Sequence, residues 1–253
     1  MKEVLLRYAL MSVIAALAIS GFGDDKVDYA QMELLVTNRL VCVRHSEMVP
    51  YYRDFIKKQT GATDSDIADC LLRYVRRQVN VQTCTEPYDN FSRALGQFTK
   101  LADDGQMAVL PEIVENSSGK AACDVLYQYY RRMRKKGGVE SVERLLDKKS
   151  LSTNVYNEIS MVVRMDAAGA FGEDSVHRGK LLAFARKQLG RRKHLKLADD
   201  VMLKLDAGYA DSKERRLLLE EILADRIKDM PKGQKEHFHA IMQSEDRRSG
   251  GLK

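Results

Sequence analysis

Apolar residues recur at helical spacing along most of this chain. Ala68, Leu71, Leu72, Val75 and Val79 follow the i, i+3, i+4, i+7 pattern, and so do Ala122, Leu126, Tyr129, Tyr130 and Met133. Nearer the end, Ala198, Val201, Met202 and Leu205 repeat it, as do Leu219, Ile222, Leu223 and Ile227. No stretch alternates with period two for long enough to suggest a sheet, so the pattern predicts an all-α fold. The punctuation agrees. Thr63 with Asp66, and Asp211 with Glu214, are capping-box-like starts. Gly61, Gly137, Gly138 and Gly190 fall where helices should stop, and Pro87, Pro111 and Pro231 fall near helix starts. Together these signals predict helices over about 29–45, 47–60, 64–80, 88–102, 107–116, 120–136, 139–148, 152–171, 174–189, 193–207, 211–229 and 232–246.

The first 20 residues follow a different pattern. Lys2 and Arg7 precede an almost wholly apolar run over 8–19, and Ala18 and Ser20 then place small residues where a signal peptidase reads. The run is about 12 residues long and a membrane-spanning helix needs about 20. Residues 1–20 are therefore expected to be a signal peptide cleaved before Gly21, with the chain exported to a periplasmic or extracellular space. No second apolar run approaches membrane length, so no transmembrane segment is expected in the mature chain. Residues 249–253 are expected to form a disordered tail.

Export changes how the cysteines read. Cys42, Cys70, Cys84 and Cys123 are even in number, an oxidising compartment favours disulfides, and three pairings exist. Cys42 and Cys84 would lie at the far ends of the first and third helices, parallel if the second reverses the chain. That favours Cys42 with Cys84 and leaves Cys70 with Cys123. The opposing expectation is four buried thiols packed as small apolar groups. The spacings match no zinc pattern, and no C-x-x-C occurs.

A faint repeat marks the second half. Val162, Val163, Arg164, Met165, Asp166 and Ala167 align with Met202, Leu203, Lys204, Leu205, Asp206 and Ala207 at an offset of 40. Asp174, Ser175, Arg178, Leu181 and Leu182 align with Asp211, Ser212, Arg215, Leu218 and Leu219 at an offset of 37. Paired helices recurring at this interval resemble HEAT-type repeats, which stack into a solenoid. The resemblance covers about 90 residues and two copies, and it implies a protein-binding scaffold in place of a catalyst. The first half shows no such period, holds every cysteine, and concentrates the tyrosines, among them Tyr51, Tyr52, Tyr74, Tyr88, Tyr127, Tyr129 and Tyr130. The expected division is a cysteine-containing helical subdomain over 21–149 and a stacked, repeat-like subdomain over 150–248, with Lys148, Lys149 and Ser150 at the boundary.

Catalytic signatures are absent from the sequence. It has no G-x-S-x-G, no phosphate-binding glycine loop and no H-E-x-x-H. Five histidines are present: His45, His177, His194, His237 and His239. His237 and His239 would point about 200° apart on a helix and would not share a metal. His177 falls near a helix start, and nothing local identifies its partner. Asp166 and Asp206 occupy equivalent repeat positions and read either as a ligand-facing acid pair or as inter-repeat salt bridges. No cofactor or metal is expected, and the chain reads as a non-enzyme.

Charge adds one more candidate. The net charge of +6 falls to +5 once Lys2, Glu3 and Arg7 leave with the leader. Most of this excess reads as solubility. Two clusters are denser: Arg131, Arg132 and Arg134 with Lys135 and Lys136, and Arg191, Arg192 and Lys193 with Arg186, Lys187 and Lys196. They are candidate anion-binding residues, and an exported protein would meet anionic envelope polymers or lipids before nucleic acid. Asn90 and Asn116 fit the glycosylation acceptor pattern, which matters only in a eukaryotic secretory route. The sequence thus favours an exported helical scaffold that binds another protein, with a cationic binder of envelope polyanions as the rival.

Overall fold

In the computed structural model ten α-helices and one π-helical stretch are delimited between Tyr29 and Gly190, further helical positions are scattered from 220 to 243, and no strand occurs among the described residues. The described residues are 27–43, 47–79, 88–169 and 175–190, with scattered positions from 220 to 243. The leader, Cys84, the second repeat copy and the second basic cluster from Arg191 onward lie outside them.

The helices are α1 (Tyr29–Leu35), α2 (Met48–Thr60), α3 (Asp64–Gln78), α4 (Tyr88–Leu101), α5 (Asp104–Ala108), α6 (Leu110–Glu115), α7 (Lys120–Met133), α8 (Glu140–Lys148), α9 (Val155–Gly169) and α10 (Ser175–Gly190). Their ends obey local chemistry. Asp28 caps α1 by accepting from the Gln31 N–H at 3.0 Å. Thr63 and Asp66 form a complete capping box on α3, which pulls the Asp66 carboxyl below its ordinary range through hydrogen bonds from Thr63. Gly61 ends α2 at φ 68°, in the left-handed region where a side chain would be strained.

Two local features depart from the expected pattern. The first helix does not run to 45 as a regular α-helix. It passes at Val36 into a π-helical stretch, Val36–Val41, whose residues Val36, Leu40 and Val41 are buried. Arg93 on α4 reaches back and donates to the carbonyls of Val41 and Val43 at 3.3 and 3.4 Å. The helix expected over 107–116 is two short helices. A second capping box, Asp103 with Gln106, starts α5 at Asp104, and α6 follows from Leu110.

Packing runs in series. α3 lies on α4, α4 on α7, α7 on α9 and α9 on α10. The α1–π–α2 unit packs against α3 and α4 at one end, while α5 and α6 flank α7 and α8 packs on α6 and α10. One hydrophobic cluster runs through all of it, from Met32 to Ala185 and on to Phe238. α7 and α9 belong to opposite sides of residue 149 and share this core.

The stretch around residue 149 is stitched to both sides. Lys149 donates to the carbonyls of Val114, Glu115 and Ser117 at 3.1, 2.9 and 2.6 Å, closing the end of α6, and burial holds its ammonium below the usual lysine range. The Gly119 N–H donates to the Leu151 carbonyl at 2.6 Å. From the other side, fully buried Glu158 on α9 accepts through Oε1 from Ser150 Oγ at 2.9 Å, Leu151 N at 2.6 Å and Ser152 N at 3.1 Å. One carboxylate thereby replaces water for the loop that leads into α9.

The expected Cys70–Cys123 bridge is not formed. Cys70 on α3 and Cys123 on α7 are separate buried thiols, and α4 packs against both of their helices. They fill the core as small apolar groups. Burial pushes the Cys70 thiol up to about 11, and burial followed by the Glu158 charge pushes Cys123 up to about 12. Cys42 is exposed at the end of the π-helical stretch; its expected partner Cys84 lies outside the described residues.

Candidate functional site

Among the described residues, four of the five exposed large apolar side chains lie in the α1–π–α2 unit, and the fifth and most open, Val176 at 65%, is on α10. α1 turns Met32 into the core, which places Leu34, two residues on and about 200° round the helix, toward solvent. Leu34 is 49% exposed and Tyr29 52% exposed, the latter with its hydroxyl 3.4 Å from Asp66. α2 buries Ile56 and Thr60, and Met48 and Tyr51, one turn apart, remain outside. Tyr51 is the most open of the four at 62%. Its ring meets Tyr52 edge-on at 5.5 Å, and the Arg39 guanidinium lies 5.7 Å from the centre of the Tyr52 ring. The Arg39–Tyr52 contact therefore links the π-helical stretch to α2. Solitary exposed apolar residues are ordinary on any surface. Four lie on two helices that pack against each other, and covering them would be favourable, by less than the roughly 1.5–3 kcal/mol that a large apolar side chain gains between full exposure and full burial, since each is already partly covered.

The first basic cluster is mostly engaged within the protein. Arg134 donates to the Gly169 carbonyl at 2.9 Å, tying α7 to the end of α9. Lys136 bonds Asp104 at 2.7 Å, with Arg132 3.8 Å from the same carboxylate. The hydrogen bond from Lys136 holds the Asp104 carboxyl below its usual range. Arg131 and Lys135 remain on the exposed side of the α7 end. Arg191, Arg192 and Lys193 lie outside the described residues.

A second group of ionisable residues joins α8, α9 and α10, and sequence reasoning missed it. Glu143 on α8, 8% exposed, accepts from His177 Nδ1 and from Lys180 Nζ, the latter at 2.6 Å. Burial alone would raise the Glu143 carboxyl. The hydrogen bonds from Lys180 and His177 outweigh it, and the group titrates below the ordinary glutamate range. Next along α10, Arg178 Nε lies 2.9 Å from buried Asp166 on α9, and its other nitrogens reach Glu221 at 2.8 and 3.4 Å. Asp166 is thus an interhelix ion-pair partner; Asp206, its counterpart in the repeat, lies outside the described residues. Of the other histidines, His45, His194 and His237 also lie outside them, and His239 stacks edge-on against Phe238 at 5.8 Å.

Arg164 on α9 lies 3.8 Å from the centre of the Tyr127 ring and 2.8 Å from Asp124, so this pair, too, pins α7 to α9. Burial of Asp124 outweighs the arginine and raises its carboxyl. Among the described residues no group of three His, Cys, Asp or Glu is placed to hold a metal ion, and no helix is long and apolar enough to cross a membrane. The charged groups here hold helices together, and of the open side chains on α1 and α2 Tyr29 does so too, through its hydroxyl on Asp66 of α3. Compared with protein-family models, curated proteins and solved structures, the chain gives no match.

Proposed function

We propose that this chain is an exported, non-enzymatic helical scaffold that binds another protein through the α1–α2 face. The carrying observation is the exposure of Tyr29, Leu34, Met48 and Tyr51 on two mutually packed helices. Aromatic and methionine side chains are the types enriched at protein interfaces, where they give contact area at low entropic cost. Serial helix-on-helix packing, with α3, α4, α7, α9 and α10 in a row, suits the HEAT-like part of this reading, because stacked helices present faces along their length. Export rests on the leader over residues 1–20. The rival, a binder of envelope polyanions through the basic clusters, draws less support, since Arg132, Arg134 and Lys136 already have partners within the chain.

The test uses a photo-crosslinking amino acid at position 51 in the exporting host, with a second variant carrying it at exposed Lys100 as control. A discrete adduct from position 51, absent at position 100 and lost on Leu34→Asp, is expected. These exposed substitutions should leave stability within about 0.5 kcal/mol. No adduct from a chain that is folded and exported would reject the α1–α2 surface. Retention on an anionic matrix that Arg131→Glu abolishes would favour the rival. Edman sequencing of the mature protein, expected to begin at Gly21, tests the leader separately.

A further inference from the structure

No further inference is drawn: the strongest candidate, the Glu143–His177–Lys180 cluster between α8 and α10, has both of its donors turned onto one carboxylate, and nothing among the described residues points to a ligand for it.

Discussion

Glu158→Ala should be among the most damaging single substitutions in this chain. The side chain is fully buried, and its Oε1 accepts from the Leu151 and Ser152 backbone N–H groups at 2.6 and 3.1 Å and from Ser150 Oγ at 2.9 Å. Leu151 and Ser152 are themselves buried, so water does not readily replace the lost acceptor. A buried polar group left unsatisfied costs about 1–3 kcal/mol. Two backbone N–H groups, together with the void left by the shortened side chain, put the loss at roughly 3–5 kcal/mol. Against a typical domain stability of about 5–15 kcal/mol, that is a large fraction. Glu158→Gln keeps the shape and one carbonyl acceptor and removes the charge. It should cost about 1 kcal/mol, the difference between a charge-assisted and a neutral hydrogen bond. Ser150→Ala removes a donor from a part-buried site and should cost less than either substitution at Glu158. Urea unfolding followed by far-UV circular dichroism gives all three values, with the slope m unchanged if the native state stays compact. A loss below about 1 kcal/mol for Glu158→Ala, or equal losses for Ala and Gln, would refute the idea that this carboxylate organises the entry to α9.

Other substitutions probe separate contacts. Gly138 has φ 90°, and a Cβ there would lie 2.7 Å from the Tyr129 hydroxyl, which donates to the Gly138 carbonyl at 2.9 Å. Gly138→Ala should cost about 2–3 kcal/mol by combining backbone strain with this clash. In a Tyr129→Phe background the clash disappears and the strain stays, so the double-mutant cycle should show a coupling of about 1 kcal/mol; strict additivity would contradict the geometry. Glu143 titrates below the ordinary value of 4.5 when folded. The unfolded chain therefore holds more protons across that interval, and the pairing contributes fully above pH 4.5 and is lost as pH falls through the folded value. Denaturant titrations from pH 7 to about pH 3 should show this component in the wild type and not in Glu143→Gln; superimposable profiles would overturn it. Cys70 and Cys123, buried and with their thiols raised to about 11 and about 12, should resist iodoacetamide in the native state and react at the rate of unfolding. Prompt labelling of either at pH 8, read by mass spectrometry, would contradict their burial.

Helix positions were legible because their signals are local. Thr63 and Asp66 are three residues apart and announce the start of α3; Gly137 and Gly138 announce the stop after α7 and adopt the positive φ that only glycine takes readily. The Asp103–Gln106 box is equally local and sets the start of α5 ahead of the expected position 107, whereas the break between α5 and α6 at Val109 has no side-chain cap to announce it. The contacts that join the helices carry no such local signal. His177 and Glu143 are 34 residues apart, Asp166 and Arg178 sit on different helices, and periodicity cannot choose which of 36 acidic residues meets a given base. Cysteine parity failed for the same reason: an even count limits the possible pairings but does not bring α3 and α7 within bonding distance when α4 packs on both. The α1–α2 surface falls between these cases. That Leu34 points away from Met32 follows from helical geometry alone. That Leu34 and Tyr51 stay exposed depends on where the other helices go: α3 packs on α1, while α4 reaches this unit through the π-helical stretch. The substitutions therefore separate by kind: change at Glu158, Gly138 or Glu143 should alter stability, and change at Leu34 or Tyr51 should alter only what the chain captures.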